Sequence, residues 1–512
     1  MIYRKSRDHD STLRDGPRIR SQIAAQQPSL VARVREGLTT MATGVVVVYF
    51  SRFGKPLQTH HKVVLDLGAK AIAKLKGYEF GGHYDAACDY SGPLFFVPDD
   101  TLLLDEAACL GIRSSNDLYG GVVPHLFAKT KAITHGLVDR DAERPLGWCT
   151  AFAERVREIV LPGYSVFSNR DARVAAGCML VRGPIRVKKP LSASGKDQTV
   201  VTTLNELDAV LEKASADEMA TYGLVLEENL RQVRTLSVGE VAVGGLRISY
   251  HGTQRTVADN EGRPVYGGSE LVCVRGGWEV LDTLPMSPEV RAAVAAARRY
   301  DEATEEFEGF TASRRNYDVA RGTGADGRPR SGVLEPSWRV GGASSAELAA
   351  FAAFARDPSL EIVGASHVEE FGTGRRAPAD AIVEFQGDDP EWGPLLRYTI
   401  VEPQDQQSRQ KNPGRCGEAW RGLPPPAISL GTDSRVIRFR SRAGASHQSQ
   451  RGKAPIGYSG PDHSPVADLS KYECPQGEDD YRHRMVVNAI ALVFVSLLSL
   501  AGFWLVNAIA HS

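Results

Sequence analysis

Residues 485–510 constrain this chain more than any other segment, because they form an apolar run without a single charged residue, MVVNAIALVFVSLLSLAGFWLVNAIA. An α-helix of about 20 residues crosses the hydrocarbon core of a bilayer, so this run is long enough to span one. The alternative is a helix buried in a domain core. The absence of a polar stripe and the C-terminal position of the run both argue against it. We therefore expect a single C-terminal transmembrane helix.

The residues flanking this run predict its orientation. Arg482 and Arg484 precede it, whereas only His511 and Ser512 follow it. Positively charged flanks tend to stay on the cytoplasmic side of a membrane. We therefore expect a single-pass protein whose main body lies in the cytoplasm and which contacts the lipid bilayer through residues 485–510.

Charge and cysteine spacing exclude two classes of function. The formal net charge is −1, so no overall electrostatic field favours nucleic acid, and we expect no nucleic-acid partner. The seven cysteines contain no C-x-x-C pair, which argues against a zinc ribbon.

The chain divides into five segments by composition and pattern. Residues 1–40 form a polar N-terminal tail without the apolar region of a signal peptide. Residues 41–125 alternate strand, helix, strand and helix, which predicts an α/β domain with parallel pairing. Residues 126–402 have an α+β pattern. Residues 403–484 are rich in Gln, Ser, Arg, Gly and Pro, which predicts a disordered linker before the transmembrane helix at 485–510.

The predicted elements follow from hydrophobic periodicity. In the first domain they are strands at 41–50 and 92–98, a helix at 65–75, and a second helix beginning at Asp99–Thr101. In the second domain the predicted helices are 126–137, 150–159, 204–214, 287–305 and 346–355. The predicted strands there are 184–189, 222–228, 234–250, 269–275, 314–320, 331–340, 380–385 and 396–401.

The first motif, IRVKKPLSASGKDQ, covers residues 185–198. In a strand, Ile185, Val187 and Lys189 share one face, and Arg186 and Lys188 share the other. The small residues of 192–195 form a loop whose backbone N–H groups could approach a phosphate closely. The motif is not a Walker A loop, because Asp197 stands where Ser or Thr is required. The alternative is a surface hairpin with solvated lysines.

The second motif, YGLVLEENL, covers residues 222–230 and predicts a strand that ends in Glu227 and Glu228 before a turn. Such a strand end could place backbone groups against the edge of an adenine ring. Many strands end in acids, so this motif alone is not specific.

The third motif predicts a hairpin whose strands contain RRNYDV at 314–319 and GVLEPSWRVGG at 332–342, with Asp326-Gly327 as turn residues. Alternation places Asn316 and Asp318 on one face of the first strand. It places Val333, Glu335, Ser337 and Arg339 on one face of the second strand. Two facing carboxylates beside a triphosphate would suit Mg²⁺.

Arg339 could neutralise charge on a transferred phosphoryl group. The glycines of 322–327 match G-x-G-x-x-G, but a strand follows them where a dinucleotide-binding unit requires a helix. The alternative for the two acids is a solvated hairpin face. Arg314, Arg315, Tyr266 and the glycines at 267–268 could line an acceptor site, although each is more often structural.

In this order, the three motifs resemble the ATP-grasp superfamily over residues 41–402. Members of that superfamily have a pre-grasp α/β domain followed by two α+β subdomains that hold ATP between them. The phrases HLFAKTKAITHGL, VKKPLSASGKDQ, RNYDV and LEPSWRVGGASSAE resemble, more narrowly, a bacterial family of uncharacterised function within the superfamily.

The resemblance implies ATP and Mg²⁺ as cofactors and a role for each matching residue. The phosphate-binding residues it implies are Lys131 (or Lys129), Lys189, Ser192, Ser194 and Gly195; the adenine hinge is Glu227, Glu228 and Leu230; the metal ligands are Asp318, Glu335 and Ser337; and the catalytic residues are Arg339 and Lys189.

Two positions depart from the superfamily pattern. Ser337 stands where many members have a metal-binding Asn, and Arg234 stands near the position of an acid that binds ribose. The resemblance implies a ligase that activates a small-molecule carboxylate for attack by an amine, and it is compatible with a homodimer. The alternatives are a membrane-tethered ATP-binding module without ligase activity, and a membrane-tethered scaffold that binds no ATP.

Overall fold

The computed structural model describes residues 44–52, 57–191 and 198–403. The N-terminal tail at 1–40, the transmembrane helix at 485–510 and all of the linker at 403–484 except its first residue lie outside these residues. Among the helices of the described part, none has both the length and the apolar character needed to cross a membrane.

The described part contains eighteen strands and nine α-helices. The strands are β1 (Val45–Tyr49), β2 (Glu79–His83), β3 (Leu94–Pro98), β4 (Leu102–Leu103), β5 (Gly121–Val123), β6 (Gly163–Val166), β7 (Ile185–Lys188), β8 (Gln198–Val201), β9 (Leu224–Glu228), β10 (Arg231–Val243), β11 (Leu246–Ala258), β12 (Pro264–Arg275), β13 (Thr311–Ala312), β14 (Arg314–Thr323), β15 (Pro329–Ser337), β16 (Ile362–Phe371), β17 (Ile382–Asp389) and β18 (Gly393–Pro403). The helices are α1 (Thr59–Lys76), α2 (Leu104–Cys109), α3 (Thr150–Val156), α4 (Asn169–Leu180), α5 (Leu204–Leu211), α6 (Ala216–Tyr222), α7 (Trp278–Leu281), α8 (Pro288–Ala303) and α9 (Ser344–Arg356).

The first domain has the predicted parallel sheet, in which β1 lies between β2 and β3. The run Val45–Val48 is buried, as expected for the central strand of a parallel sheet. The helix predicted from Asp99 begins later, at Leu104, because Leu102 and Leu103 first form β4 beside β5.

A four-stranded antiparallel sheet, in the order β6-β9-β7-β8, forms the second part of the molecule. Ile185 and Val187 of β7 pack with Leu224 and Leu226 of β9 and with residues of α4 and α5. The helices therefore cover one face of this small sheet. The other face carries Arg186, Lys188 and Glu227, because side chains alternate along each strand.

An eight-stranded sheet, in the order β15-β14-β10-β11-β12-β16-β18-β17, forms the third part. Helix α8 packs on one face, with Tyr317, Val319 and Val333 in that core. Helices α1 and α9 pack on the other face, with Tyr250 and Leu271 in that core. The α/β domain and the two α+β subdomains implied by the resemblance stay a prediction.

Two predicted elements were wrong in detail. The single strand predicted at 234–250 is two strands, because Gly244 and Gly245 adopt φ of 61° and 80° and form a two-residue hairpin turn between β10 and β11. The helix predicted at 126–137 is two short 3-10 helices, Leu126–Lys129 and Lys131–Thr134. The sequence analysis also missed α4 and β16.

Candidate active site

The hairpin formed by β14 and β15 brings the two predicted metal carboxylates together. Asp318 lies directly opposite Glu335, and Asn316 lies opposite Ser337. The predicted position of Val333 was wrong, because a bulge after Asp318 pairs Val333 with Val319. Val333 therefore faces the α8 core, on the opposite side of the sheet from Asp318 and Glu335.

The two carboxylates affect each other electrostatically. Burial, and then the charge of Glu335, raises the pKa of Asp318 to about 6. Asn316 Nδ2 donates a hydrogen bond to Asp318 Oδ1 at 3.1 Å, and Ser237 Oγ donates to the same oxygen at 3.4 Å. The negative charge of Glu335 thus disfavours a second negative charge on Asp318, and a cation bound between the two acids would relieve this repulsion.

Lys131 is the lysine that reaches this carboxylate pair. Its Nζ lies 2.9 Å from Glu335 Oε2, and its side chain is buried. Burial, the largest single effect, opposes ionisation of Glu335, but the charge and hydrogen bond of Lys131 together with the charges of Lys188 and Arg339 outweigh it and lower the Glu335 pKa. Lys129 instead forms an ion pair with Asp100, with its Nζ 2.6 Å from Asp100 Oδ2. Of the two lysines left open by the sequence, Lys131 is therefore the one placed at the site.

A second ion cluster is buried on the face of the small sheet opposite to α4 and α5. Lys188 Nζ lies 2.6 Å from Glu227 Oε1, and His135 Nε2 lies 3.2 Å from Glu227 Oε2. Burial would raise the pKa of Glu227, but Lys188 and then His135 lower it to about 2. His135 directly follows the 3-10 helix Lys131–Thr134, and the charge of Lys188 acts on Glu335, so this cluster lies beside the Asp318–Glu335 pair.

Lys188 was not selected by sequence, whereas Lys189 was. Lys189 is half-buried and follows β7, where alternation turns it away from the face that carries Lys188 and Glu227. The sequence did contain a signal for Lys188. It shares a polar strand face with Arg186, whereas Ile185 and Val187 form the apolar face that packs in the core. Ser192, Ser194 and Gly195 lie outside the described residues.

The predicted hinge residues connect the small sheet to the large one. Glu228 Oε2 accepts a hydrogen bond from Arg330 Nε of β15 at 3.0 Å. Leu230 is buried against Leu161 and Ala320. Arg234 is exposed on β10, opposite Arg321 of β14. The hinge therefore packs on the hairpin that carries Asp318 and Glu335.

Ser337 and Arg339 are held by a buried arginine. Arg314 Nη1 donates to Ser337 Oγ at 3.3 Å, to the Ser337 carbonyl at 3.0 Å and to the Arg339 carbonyl at 2.5 Å. The rest of the Arg314 guanidinium donates to both carboxylate oxygens of Glu347, at 2.8 and 2.7 Å. Arg314 is therefore structural, and it fixes the backbone from which Arg339 extends.

The Arg339 side chain is 39% exposed, and its Nε lies 3.8 Å from Asp100 Oδ1. Its charge acts on Glu335 as well as on Asp100. Arg315 makes a separate ion pair, with Nη1 2.9 Å from Asp301 Oδ1. Arg339 is therefore the arginine of this region whose side chain extends toward the site.

The residues present fit magnesium better than a transition metal. No group of three or more His, Cys, Asp or Glu side chains converges on a metal position within the described part of the chain. Mg²⁺ is usually held by one or two carboxylates together with phosphate oxygens and water. Asp318 and Glu335 supply two such carboxylates beside Lys131 and Lys188, whose ammonium groups suit phosphate.

Residues 48–399 match the family model described as "Protein of unknown function (DUF3182)". Because this match covers more than half of the 512 residues, the chain belongs to that family. The predicted membership of a family of uncharacterised function is thus confirmed. A search of curated proteins found no match.

Solved structures give distant matches. Biotin carboxylase of Campylobacter jejuni, in a β-γ-ATP complex, is 10% identical, with a TM-score of 0.40, and the match covers 71% of this chain and 89% of that one. Phosphoribosylamine–glycine ligase of Thermotoga maritima is 14% identical, with a TM-score of 0.38, and covers 72% and 95%. D-alanyl-alanine synthetase A of Vibrio cholerae O1 biovar eltor is 13% identical, with a TM-score of 0.32, and covers 58% and 89%. At such scores, an assignment of function depends on the residues of this chain.

Proposed function

We propose that this protein is an ATP-grasp-type, Mg²⁺-dependent ligase that activates a carboxylate as an acyl phosphate for attack by an amine or similar nucleophile. The observation that supports this most is the placement of Lys131 and Lys188 around the Asp318–Glu335 pair. Two buried lysines suit the phosphates of ATP, and the two acids suit the metal that accompanies them.

Two carboxylates at this site are already paired with lysines of the protein itself. Glu335 is paired with Lys131, and Glu227 with Lys188. Phosphate oxygens would compete with these carboxylates for the lysines. Mg²⁺, held by Asp318 and Glu335, would neutralise phosphate charge. The binding of a nucleotide and of a metal therefore support each other.

The chain's own groups act mainly by position and charge in this proposal. A substrate carboxylate oxygen attacks the γ-phosphorus, the bond from that phosphorus to the β–γ bridging oxygen breaks, and ADP leaves. Arg339 stabilises charge on the transferring group. The amine then attacks the acyl carbon, phosphate leaves with the electron pair of the C–O bond, and the amine nitrogen loses a proton.

Measurement of ADP formation by Asp318→Asn tests this proposal. With Mg-ATP and mixed acids and amines, the variant should lose ADP formation while keeping the parent's circular dichroism spectrum. Glu261→Gln, which changes an acid with a side chain 65% exposed, is the matched control and should keep parental activity. Full activity of Asp318→Asn would overturn the proposed role.

One observation favours a second function, an ATP-binding module without ligase activity. Ser337 occupies the place of the usual metal-binding Asn, and its hydroxyl accepts a hydrogen bond from Arg314. This arrangement weakens Ser337 as a metal ligand. Binding of Mg-ATP with no phosphate release in any mixture of acids and amines would support this second function over the first.

We also propose that residues 485–510 anchor the protein in the membrane with its main body in the cytoplasm. The support for this is their uncharged sequence and the arginines before them. The full chain should stay in the membrane fraction after carbonate extraction, and a chain truncated at residue 484 should not. Release of the full chain by carbonate would contradict the anchor.

A further inference from the structure

The face of the large sheet that carries Asp318 continues across four further strands as a polar surface, by which we mean a row of largely buried polar side chains. Ser237 of β10 donates to Asp318, and Gln254 Nε2 of β11 donates to Ser237 Oγ at 2.9 Å. Gln254 is opposite Ser269 of β12, which is opposite His367 of β16. Polar side chains therefore lead from the candidate catalytic acids to His367, over roughly 19 Å at the usual strand spacing.

The neighbouring rows of the same face are apolar. Leu271 and Cys273 of β12, together with Val363 and Ala365 of β16, pack under α9. Side chains two residues apart on a strand lie on the same face, so the next residues on this face are Ser269 of β12 and His367 of β16. The face therefore changes from apolar to polar at these two residues. This half of the face therefore does not continue the helix-covered core.

At its far end the polar surface reaches a buried arginine with an unused donor. Arg397 of β18 is 3% exposed, and Nε has no hydrogen-bond partner among the described residues. Nη2 lies 3.2 Å from His367 Nε2, and Nη1 lies 3.2 Å from Glu369 Oε1 without hydrogen-bond geometry. Leaving a buried charged donor unpaired is costly, so this arrangement suits a ligand that accepts from it.

The tautomer of His367 adds a second donor. Because a guanidinium only donates, a hydrogen bond between Arg397 and His367 requires Nε2 to accept, and in that tautomer the ring proton lies on Nδ1. Nδ1 has no hydrogen-bond partner in the described part of the chain, and its neighbour Glu384 Oε2 is 3.5 Å away. In the other tautomer, Nε2 donates to Glu369, at 3.2 Å, and Arg397 loses a partner.

Two further side chains, those of Tyr266 and His61, lie within electrostatic range of Arg397. Tyr266 shares a hydrogen bond with Ser269 Oγ at 2.7 Å, and the charges of both Glu369 and Asp318 add to burial in raising its pKa. Burial by the surrounding protein, and then the charges of His60 and Arg397, lower the pKa of His61 to about 3.

We propose that the carboxylic acid substrate of this protein is a dicarboxylate, whose second carboxylate binds Arg397 and His367 at the far end of the polar surface. The proposal rests on the ligase function proposed above. A carboxylate fits better than a phosphate monoester, because Glu369 and Glu384 beside the cluster would repel a second negative charge. The first carboxylate would lie near Arg339.

The test compares acids of matched length with the full-length protein. Glutarate, adipate and suberate are compared with valerate, hexanoate and octanoate for ADP formation with Mg-ATP and a mixture of amines. At least one dicarboxylate should support ADP formation with a KM at least about 10-fold lower than its monocarboxylate partner. Equal or better use of the monocarboxylates would overturn the proposal.

Variants identify the residue responsible. Arg397→Lys keeps the positive charge and loses the fork, so it should raise the KM for the preferred dicarboxylate about 10-fold or more and leave the monocarboxylate KM unchanged. Arg263→Gln, which changes an arginine 54% exposed in the turn between β11 and β12, is the control and should change neither. An unchanged dicarboxylate KM in Arg397→Lys would overturn the assignment.

The two proposals fail in distinguishable ways. If calorimetry shows Mg-ATP binding and some acid supports ADP formation, but dicarboxylates have no advantage, only the dicarboxylate proposal fails. If Mg-ATP does not bind and no acid supports ADP formation, the ligase proposal fails and the dicarboxylate proposal fails with it.

Discussion

Asp318→Asn should stabilise the nucleotide-free protein at neutral pH while it removes the metal site. In the native protein, burial and Glu335 raise the Asp318 pKa from its ordinary value of 3.8 to about 6. Each pKa unit corresponds to about 1.4 kcal/mol, so keeping Asp318 ionised at pH 7 costs roughly 3 kcal/mol of folding free energy.

The neutral amide removes most of this cost. Asn at position 318 still offers an oxygen to Ser237 Oγ, but that bond weakens without the negative charge. We therefore expect a net gain of about 1–2 kcal/mol, which corresponds to a rise in Tm of roughly 1–3 °C for a folded body of about 350 residues.

The pH dependence gives the sign of the effect. A carboxyl group with a raised native pKa contributes full stability below its unfolded pKa and loses that contribution as pH rises from about 3.8 to about 6. The Tm difference between Asp318→Asn and the parent should therefore be large at pH 7.5 and small near pH 4.

Thermal unfolding of the full chain, with and without Mg-ATP, is the assay. Mg-ATP should raise the Tm of the parent and have little effect on the variant. A variant that is less stable than the parent at pH 7.5, or that gains the same stabilisation from Mg-ATP, would refute this explanation. Glu261→Gln again serves as the control.

Three other predictions concern the lysines, the buried ion pair and acid stability. Lys188→Gln should weaken Mg-ATP binding at least 10-fold by calorimetry, because a hydrogen bond to a charged group contributes about 1.5–3 kcal/mol. Lys189→Gln should weaken it less than 3-fold, and equal effects of the two variants would contradict the assignment of Lys188. Glu347→Gln should lower the free energy of unfolding in urea by about 3–5 kcal/mol, because Arg314 loses its buried counter-charge. The control Glu305→Gln, which changes a side chain 59% exposed, should lower it by less than about 1 kcal/mol. The pKa values of Glu227 and Glu369 are lowered to about 2. These two carboxylates therefore stabilise the folded state above about pH 4.5, and this stabilisation is lost as the pH falls toward 2. A Tm that does not change between pH 5 and pH 3 would contradict their ion pairs.

Short-range alternation was enough to predict the central hairpin. Asp318 and Glu335 were predicted to face each other, and their register confirms it. Their role as metal ligands stays a prediction. The bulge after Asp318 could not be predicted, because alternation assumes an uninterrupted strand and so misplaced Val333.

The lysine assignments show a different limit. Alternation along β7 correctly placed Lys188 and Lys189 on opposite faces of the strand. It did not predict which of these faces is covered by helices. That answer depends on α4, which lies earlier in the chain, was not predicted, and packs on Val187. Tertiary packing therefore determines which lysine reaches the site.

The cluster around Arg397 could not be found from the sequence. His367 and Arg397 are 30 residues apart, and only the pairing of β16 with β18 brings them together. The sequence IVGASHVEEF of β16 lacks a regular alternation of polar and apolar residues, because both faces of that strand are largely buried.

The central claim is that a carboxylate attacks the γ-phosphoryl group of ATP, and transfer of oxygen tests it most directly. The full-length protein is incubated with Mg-ATP, mixed amines, and mono- and dicarboxylic acids labelled with ¹⁸O in their carboxyl groups. The released phosphate is then analysed by mass spectrometry. An acyl phosphate predicts phosphate that carries one ¹⁸O atom from the acid. Phosphate released without the label, or no release of phosphate with any acid, would contradict the proposed function.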